Sequence, residues 1–599
     1  MPARIRPTHF ARRSVAVAIA VGAVAASGAV MSPRPPVGAQ FDSPLVALTT
    51  EGAVRGAFDG MAIAWKNVPF AQAPTGALRW RSPQPPALRA LELDATTIGK
   101  ACPQTGGSAL RPDAPPPAWD EDCLQLNIWR PDRGDGTTRR PVMVWFHGGG
   151  LVQGSAVDPL YDGKGLATNG NVVVVTANYR LGALGYLAHP AFIDQPNSAP
   201  GAGNYGLLDQ IQALHWVQDN IAAFGGDPER VLIFGESAGG VSVCALLASP
   251  LAAGLFHGAI MQSGACRDAL RRLDGAGPLP PATDQGGRFA AAAGCAAAPD
   301  VGACLRALPT AAVLAALPGE IGILNPGAET YDLVIDGHAL PEPPMQALAR
   351  EDGPASRVPF VLGANADEGT VFALPFKATL TAAGYEATVR SLYRASAPAV
   401  LALYPVAMYD APWLALADVT GDAGFVCPTR RVARARAAIG HPTWLYHYAF
   451  VTALARQRDL GSHHGAEIPF LFADFSSPLG AALTPEARQL AAAMQGYWAR
   501  VAALDEPGTG AGAAAAAGEA ADDPVAWTRY DPAADNGMLL GAKQAMTAGW
   551  RAAKCDLWDL IEGERGGATP GPGPRPTAAV PTVPVPGRGW VVLPVAFVP

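Results

Sequence analysis

The segment VLIFGESAGG, residues 231–240, constrains the fold most strongly, because four apolar residues run directly into Gly-Glu-Ser-Ala-Gly. A strand that ends in this pattern can turn sharply into a helix and expose the hydroxyl of Ser237, the geometry of a nucleophile elbow. The alternative is a strand ending in a glycine turn that happens to contain a serine. The pattern alone does not choose between these interpretations, so the choice depends on the rest of the chain.

Short apolar runs alternate with longer segments of helical pattern through the middle of the chain. The predicted strands are residues 141–146, 171–179, 230–234, 358–364 and 443–450. Residues 207–224 place apolar side chains at helical spacing, and the GGDPERV that follows predicts a turn into the next strand. Because the strands are apolar throughout, the sheet must be covered on both faces. The predicted fold class is α/β, with a large, mostly parallel central sheet and helices on both faces.

The N-terminal 39 residues differ from the rest of the chain. A basic segment containing the pair Arg12-Arg13 precedes a short apolar run and small residues that suit a signal peptidase. This pattern predicts a secretory signal peptide at residues 1–39, with the twin-arginine route permitted and an N-terminal membrane anchor as the alternative. The expected location is secreted, cell-surface or periplasmic.

The remaining chain divides into two parts by composition. Residues 40–562 are predicted to form one large α/β domain, and residues 563–599 a proline-rich spacer with a short apolar C-terminal stub. The stub is too short to span a membrane and could be a sorting signal or a strand. The net charge of −7 is spread along the sequence without a basic block, which argues against nucleic acid as a partner.

A serine hydroxyl becomes an effective nucleophile when a base removes its proton and a third group orients that base. When the nucleophile lies on a strand-to-helix elbow, the acid and then the histidine follow it along the chain. Asp367 and Glu368 come just past a predicted strand, among small residues. They are therefore the candidate acids.

Two groups of histidines follow these acids. His441 and His447 lie in or beside a predicted apolar strand, which favours a structural role. His463 and His464 lie in the glycine-flanked loop GSHHGAE, which could present an imidazole without burying it. The base is therefore expected in this loop.

A carbonyl under attack develops negative charge on its oxygen, which needs hydrogen-bond donors. The run VWFHGGG ends a predicted strand with His147 and three glycines at positions 148–150. Glycines allow the backbone to approach a substrate closely and to point N–H groups at the oxygen. The alternative, a merely flexible turn, is disfavoured by the strand before the glycines and the elbow after them.

The chain resembles the type B carboxylesterases, the branch of the α/β-hydrolases that includes cholinesterases, liver-type carboxylesterases and bacterial p-nitrobenzyl esterases. The matching runs keep the family order and cover about residues 45–560: WKNVPFAQAPTGALRWRSPQPP, EDCLQLNIWRP, VMVWFHGGG, GNYGLLDQIQALHWVQDNIAAFGGDPERV, FGESAGG, MQSGA, GANADEGT and HGAEIPFLF. The resemblance implies an α/β-hydrolase fold for the predicted domain.

The resemblance also implies roles for individual residues. The family's nucleophile, acid and base correspond to Ser237, Glu368 and His464. Its oxyanion donors correspond to the backbone amides of Gly149, Gly150 and Ala238. Glu236, beside the nucleophile, is an additional acid that we interpret as a hydrogen-bonded support for the elbow.

The chain has eight cysteines, and export would let them form disulfides. Cys244 falls in the apolar run after the elbow and is expected to be a buried free thiol. The resemblance implies the pairs Cys102–Cys123 and Cys295–Cys304, with Cys427–Cys555 at the position of a third, cholinesterase-type disulfide.

Departures from the family pattern bear on the substrate. Leu151 follows the three glycines where an aromatic residue is usual, and residues 317–337 lack the aromatics of a cholinesterase acyl pocket. The segment from Cys102 to Cys123 does not match the cholinesterase tryptophan that stacks on a quaternary ammonium. A choline ester is therefore not the expected substrate.

The predicted function is a secreted serine carboxylesterase that acts on a small-molecule ester through an acyl-enzyme intermediate. The alternatives are a specialised lipid, aromatic-ester, carbamate or amide hydrolase of the same fold, and a surface binding protein without activity. No cofactor is expected, since the GxGxxG match at residues 201–206 does not follow a strand. No metal site and no membrane span after signal removal are expected either.

Overall fold

The computed structural model describes residues 43–107, 115–133, 138–193, 202–267, 269–273, 275, 277, 279–325, 329–473, 483–504, 506–508 and 525–566. The predicted signal peptide at residues 1–39 and residues 567–599 of the predicted spacer lie outside the described residues. Within these ranges, no helix is both long and apolar enough to cross a membrane.

Sixteen strands lie in the described part of the chain. They are β1 (Val46–Thr49), β2 (Gly52–Arg55), β3 (Ala57–Asp59), β4 (Ala62–Pro69), β5 (Leu93–Asp94), β6 (Gln125–Pro131), β7 (Arg140–Phe146), β8 (Val173–Ala177), β9 (Gly226–Glu236), β10 (Gly258–Gln262), β11 (Arg271–Arg272), β12 (Val334–Ile335), β13 (Phe360–Asn365), β14 (Thr443–Tyr448), β15 (Asn536–Leu540) and β16 (Ala545–Ala548).

Eleven of these strands form the central sheet, in the order β16-β15-β14-β13-β10-β9-β7-β8-β6-β4-β3. The strands from β8 to β15 along this order are parallel to one another, and the strands at both edges are antiparallel. The remaining strands form two small sheets, β1-β2-β5 and β11-β12. The predicted large, mostly parallel sheet is confirmed.

Helices fill the connections between the strands. They are α1 (Lys164–Gly170), α2 (Gly182–Tyr186), α3 (Pro190–Ile193), α4 (Tyr205–Asn220), α5 (Ala238–Ala248), α6 (Ala282–Ala292), α7 (Val301–Arg306), α8 (Thr310–Ala316), α9 (Pro344–Leu348), α10 (Thr370–Ala373), α11 (Ala382–Tyr393), α12 (Ala397–Leu403), α13 (Pro412–Gly421), α14 (Cys427–Ala438), α15 (Ala453–Gln457), α16 (Ile468–Phe472), α17 (Pro485–Ala502) and α18 (Ala552–Gly566). A π-helical turn, Asp422–Val426, joins α13 to α14.

The central sheet has an apolar core on each face, as its continuous apolar strands predict. Along β7, Val142, Val144 and Phe146 join a core that includes α4 and α5, while Met143 and Trp145 join a second core with α16 and α17. Successive residues of a strand point to opposite faces, so a strand covered on both sides must be apolar at every position. Burying each such side chain contributes about 1.5–3 kcal/mol.

One local prediction is wrong. The GGDPERV segment was expected to be a turn, but β9 already begins at Gly226 and pairs with β7 across a register irregularity between Arg140 and Val142. The turn is confined to Gly225, whose φ of 81° lies in the left-handed region. The extended strand carries the nucleophile segment at its far end.

Four disulfides join all eight cysteines of the chain. The pairs are Cys102–Cys123, Cys244–Cys266, Cys295–Cys304 and Cys427–Cys555. The expectation of a free thiol at Cys244 is wrong, because the loop after β10 packs against α5 and brings Cys266 to a Cα–Cα distance of 5.4 Å. Nothing in the apolar run around Cys244 signals this contact, which depends on the neighbouring strand.

Candidate active site

Ser237 lies alone between the last residue of β9 and the first residue of α5, with φ of 57° and ψ of −120°. A non-glycine residue in this region is strained and persists only when its surroundings hold it. The surroundings are tight: the Ser237 amide donates to the carbonyl of Gln262 at 2.9 Å, and a Cβ on Gly239 would lie 2.0 Å from the carbonyl oxygen of Phe146. The small residues of the motif therefore let the turn pack against β7 and β10, and they leave the serine presented at the carboxyl end of the sheet.

The glycine loop after β7 faces this turn. Gly149 and Gly150 have φ values of 109° and 65°, and a Cβ on Gly149 would lie 2.1 Å from the carbonyl oxygen of Gln153. Within the described residues, the amides of Gly149, Gly150 and Ala238 donate no hydrogen bond. They are therefore available to a developing oxyanion.

His147, which precedes the glycines, supports this loop. Its ring stacks on Tyr179 at 4.4 Å, and burial lowers the pKa of His147 to about 4. Because the neutral ring has its Nδ1 2.9 Å from the carbonyl oxygen of Gly148, Nδ1 carries the proton and donates it to that oxygen. His147 is thus a neutral anchor for the loop.

The structure brings Glu368 and His464 into direct contact. Oε2 of Glu368 lies 2.6 Å from Nδ1 of His464, and Oε1 accepts the amide of Asn365 at 2.7 Å. Both side chains are buried. This pair places a carboxylate on one ring nitrogen and leaves Nε2 facing the elbow.

The other two candidates in these motifs lie in supporting positions. Oδ2 of Asp367 accepts the amide of Ser462 at 2.8 Å, which ties the strand end to the loop that carries His464. His463 contributes its carbonyl oxygen, which accepts from Asn365 Nδ2 at 2.8 Å. Asp367 and His463 therefore hold the histidine loop in place. Among these candidates, the direct contact between an acid and a histidine is the one between Glu368 and His464.

Glu236 occupies a position that the sequence interpretation missed. Its Oε1 makes no hydrogen bond within the described residues, so the interpretation as a hydrogen-bonded support for the elbow is wrong. Instead Oε1 lies 3.2 Å from Nε2 of His464, on the side opposite Glu368. The imidazole is thus held between two buried carboxyl groups.

These contacts change the pKa of both His464 and Glu236. Burial disfavours the charged imidazole, but the charges of Glu236 and Glu368 outweigh it and raise the pKa of His464 to about 9. Burial raises the pKa of Glu236 to about 8, against the opposing effect of His464. His464 and Glu236 therefore keep their protons up to a higher pH than isolated histidine and glutamate side chains would.

A third buried acid, Glu467, lies behind this pair. It accepts from Asn365 Nδ2 at 2.6 Å and from Gln262 Nε2 at 3.0 Å, and burial raises the pKa of Glu467. The sequence carried a signal for it, since an acid three residues after His464 inside an apolar run needs buried partners. Glu467 links the ends of β10 and β13.

The site opens into a cavity with an empty volume of about 470 Å³. It is lined by groups from the elbow, the glycine loop and the histidine loop, together with side chains above them: Gly148, Gly149, Gly150, Gly154, Ser155, Asp158, Tyr161, Glu236, Ser237, Ile321, Phe372 and His464. Among the described residues, no group of His, Cys, Asp and Glu side chains could hold a metal ion. The arrangement suits acyl transfer to a serine.

Comparison with known proteins places the chain among known esterases. The family model described as "Carboxylesterase family" matches residues 42–558. The para-nitrobenzyl esterase of Bacillus subtilis is 33% identical over 473 residues, 78% of this chain and 91% of that protein. The fumonisin B1 esterase of Sphingopyxis macrogoltabida is 37% identical over 447 residues, 73% of this chain and 77% of that protein.

A solved structure shares the fold. The carboxylesterase EST55 of Geobacillus stearothermophilus superposes with a TM-score of 0.71 at 32% sequence identity, over 86% of this chain and 100% of that chain.

Proposed function

The chain belongs to the carboxylesterase family and is a serine hydrolase of carboxylic esters, and from this premise we propose that it acts through a Ser237–His464–Glu368 triad after export. The observation that carries the proposal is the 2.6 Å contact between His464 Nδ1 and Glu368, in a pocket shared with the strained Ser237. Nδ1–H of His464 donates a hydrogen bond to the ionised Glu368 carboxylate, which leaves Nε2 as the basic nitrogen.

The proposed reaction has two steps. Nε2 of His464 takes the Ser237 proton while Oγ attacks the ester carbonyl, and the amides of Gly149, Gly150 and Ala238 donate to the oxyanion. The tetrahedral intermediate collapses, and the alcohol leaves with the proton from His464. Water then attacks the acyl-enzyme by the same sequence, releasing the acid and restoring the serine.

The acyl pocket is proposed to favour short chains. Ile321 reaches directly over the glycine loop, since a Cβ on Gly150 would lie 2.9 Å from Ile321 Cγ1. Phe372 lines the same cavity beside His464. Both side chains limit the room for an acyl group next to the oxyanion donors.

Hydrolysis of p-nitrophenyl esters from acetyl to palmitoyl tests this function. We expect kcat/KM to be highest for the short acyl chains and to fall by about tenfold or more at palmitoyl, because a long chain must displace these side chains. A maximum at palmitoyl would instead indicate a lipase. Absence of hydrolysis across the whole series would contradict the proposed activity on simple esters.

The pH dependence follows from the contact of His464 with Glu236. A proton held by Nε2 prevents it from acting as a base, so activity rises with pH as that proton is lost. Because the carboxylates raise the pKa of His464 to about 9, we expect the rise to be centred above the ordinary histidine value of about 6.5. Glu236→Gln removes one carboxylate and should move the rise to lower pH.

The measurement is kcat/KM for p-nitrophenyl acetate from about pH 5 to about pH 10, corrected for spontaneous hydrolysis, with wild type and Glu236→Gln in parallel. A rise at the same pH in both proteins would show that Glu236 does not act on the catalytic proton. A wild-type rate that stays flat across the range would count against His464 as the base.

Export is the last element of the proposal. Four disulfides support an oxidising compartment, since disulfides persist outside the reducing cytosol. We propose that residues 1–39 are removed as a signal peptide, that residues 40–562 form the hydrolase domain, and that residues 563–599 are a spacer. N-terminal sequencing of the exported protein tests whether cleavage occurs after residue 39.

A further inference from the structure

The helical segment from Pro412 to Ala438 is interrupted next to the acid–base pair. Helix α13 ends at Gly421, the π-helical turn Asp422–Val426 follows, and α14 begins at Cys427. A π-helical turn inside an α-helix is rare and is often found at a functional site. Gly421, the residue before this turn, touches Glu368, and Phe425, within the turn, touches His464.

The glycine lets the helix approach the acid closely. A Cβ on Gly421 would lie 3.2 Å from Glu368 Cβ and 3.0 Å from the amide nitrogen of Gly369. From the other side, a Cβ on Gly369 would lie 1.9 Å from the carbonyl oxygen of Ala417. The helix backbone and the backbone of the acid turn are therefore in direct contact, with no room for a side chain between them.

Phe425 packs on the imidazole. Its ring centroid lies 4.5 Å from that of His464, with the planes tilted by 45°. Phe372 lies 5.1 Å from the same imidazole and stacks on Phe425 at 5.6 Å, with an angle of 8° between the planes. Two stacked phenyl rings thus form one wall of the histidine site.

The turn itself is anchored. Asp422 is buried and accepts from Tyr404 Oη at 2.8 Å and from Arg551 Nη1 at 2.8 Å. Arg551 also donates through Nη2 to the carbonyl of Ala366 at 2.7 Å, two residues before the acid. The disulfide Cys427–Cys555 joins the start of α14 to α18. The Arg551 guanidinium therefore ties the turn to the segment after β13 that carries Glu368, and the disulfide holds α14 to the helix that follows Arg551.

We propose that this interrupted helix positions the acid and the base together, and that Phe425 is the positioning residue through which it acts on His464. The inference rests on the proposed role of His464 as the base. The ring of Phe425 limits rotation of the imidazole away from Glu368. Its π-electrons also favour the imidazolium that forms when Ser237 attacks, since a cation within about 6 Å of an aromatic ring is attracted to its face.

Other charged groups face His464 and remain in any variant of Phe425. They are Glu236 at the end of β9, Glu368 after β13, and Glu467 beside α16, all of which raise the pKa of His464. His463 is the neighbouring titratable group in the loop, and Asp422 on the π-helical turn is paired with Arg551. A change in kcat or in the pH profile on substituting Phe425 therefore results from loss of its ring and not from loss of a charge.

Phe425→Leu is the test. We expect kcat for p-nitrophenyl acetate to fall by about tenfold with KM changed by less than about twofold, because substrate binding does not use this ring. The pH at which kcat/KM rises should move down by about half a unit, because the imidazolium loses its aromatic partner. Phe425→Tyr retains the ring and should restore both properties.

Tyr393→Leu is the matched control. Tyr393 packs against the apolar cluster that contains Phe425 and Trp558, and its ring lies 5.0 Å from that of Trp558. This variant therefore also removes a ring from that cluster. It should reproduce the wild-type pH profile. If Phe425→Leu does not fold, Phe425→Met, which is closer to phenylalanine in length, replaces it in the same comparison.

The outcomes separate this inference from the proposed function. A fall in kcat with a downward move of the profile supports the positioning role. A profile that stays at the wild-type position, or a kcat no lower than that of Tyr393→Leu, overturns it while leaving the triad intact. A wild-type enzyme with no rise of kcat/KM with pH would contradict the proposed base itself, whatever the variant does.

Discussion

Ser237→Ala is expected to lower kcat for p-nitrophenyl acetate by roughly 10⁴- to 10⁶-fold, with the fold unchanged. The variant removes the hydroxyl that we propose attacks the carbonyl and forms the acyl-enzyme, so only water bound in the site could react. The amides of Gly149, Gly150 and Ala238 stay in place and would still stabilise an oxyanion, which accounts for the small residual rate.

Ser249→Ala is the matched control for this loss. Ser249 follows the other end of α5, and its Oγ is buried without a hydrogen-bond partner within the described residues. Removing that hydroxyl should leave kcat within about twofold of wild type. A fluorophosphonate probe should label the wild type and Ser249→Ala but not Ser237→Ala. Label in Ser237→Ala, or near-wild-type hydrolysis by it, would mean that another residue is the nucleophile.

Glu368→Gln is expected to lower kcat by roughly 10³- to 10⁴-fold, with a much smaller change in KM. The wild-type carboxylate accepts a hydrogen bond from Nδ1–H of His464 at 2.6 Å and is buried beside the ring. An amide is neutral and can present an N–H to Nδ1, which would stabilise the wrong tautomer and leave the imidazolium without its counter-charge. The fold should persist, because the amide oxygen can still accept the amide of Asn365.

Asp367→Asn separates the two adjacent acids. Among the residues that the structure describes, Oδ2 of Asp367 accepts only the backbone amide of Ser462, and an asparagine oxygen can replace it there. We therefore expect this variant to retain kcat within about tenfold of wild type, with a small loss of thermal stability. The two variants should be compared by kcat, KM and melting temperature under the same conditions. If Asp367→Asn loses more turnover than Glu368→Gln, the acid has been assigned to the wrong residue.

Local sequence was sufficient for the parts of the fold that depend on neighbouring residues. The continuous apolar runs predict strands buried on both faces, and the structure places alternate residues of β7 in two different cores. The spacing of small residues around Ser237 predicts the elbow, because the backbone can pass between β7 and β10 only where a Cβ is missing. The strand before the three glycines likewise predicts a loop at the carboxyl edge of the sheet.

The start of β9 shows where such local reasoning stops. Gly226 to Arg230 contain turn-forming residues, yet they belong to β9, which pairs with β7 at Gly226 and again from Val231 onward, across a register irregularity. Cys244 is a second example, since its apolar surroundings suggest a thiol and the neighbouring loop supplies Cys266. In both cases the deciding partner belongs to another strand or loop of the sheet, so the local pattern could not reveal it.

The sequence by itself therefore determined the α/β sheet, the strained serine, the glycine loop and the candidates for acid and base. Only the tertiary structure decided that Glu368 meets His464 across 96 residues, that Glu236 faces the other ring nitrogen, and that Phe425 packs on the same imidazole. The physical reason is that the carboxyl ends of parallel strands meet at one edge of the sheet, where loops distant in sequence become neighbours. Which side chains touch there depends on how those loops pack, and so does the pKa of His464.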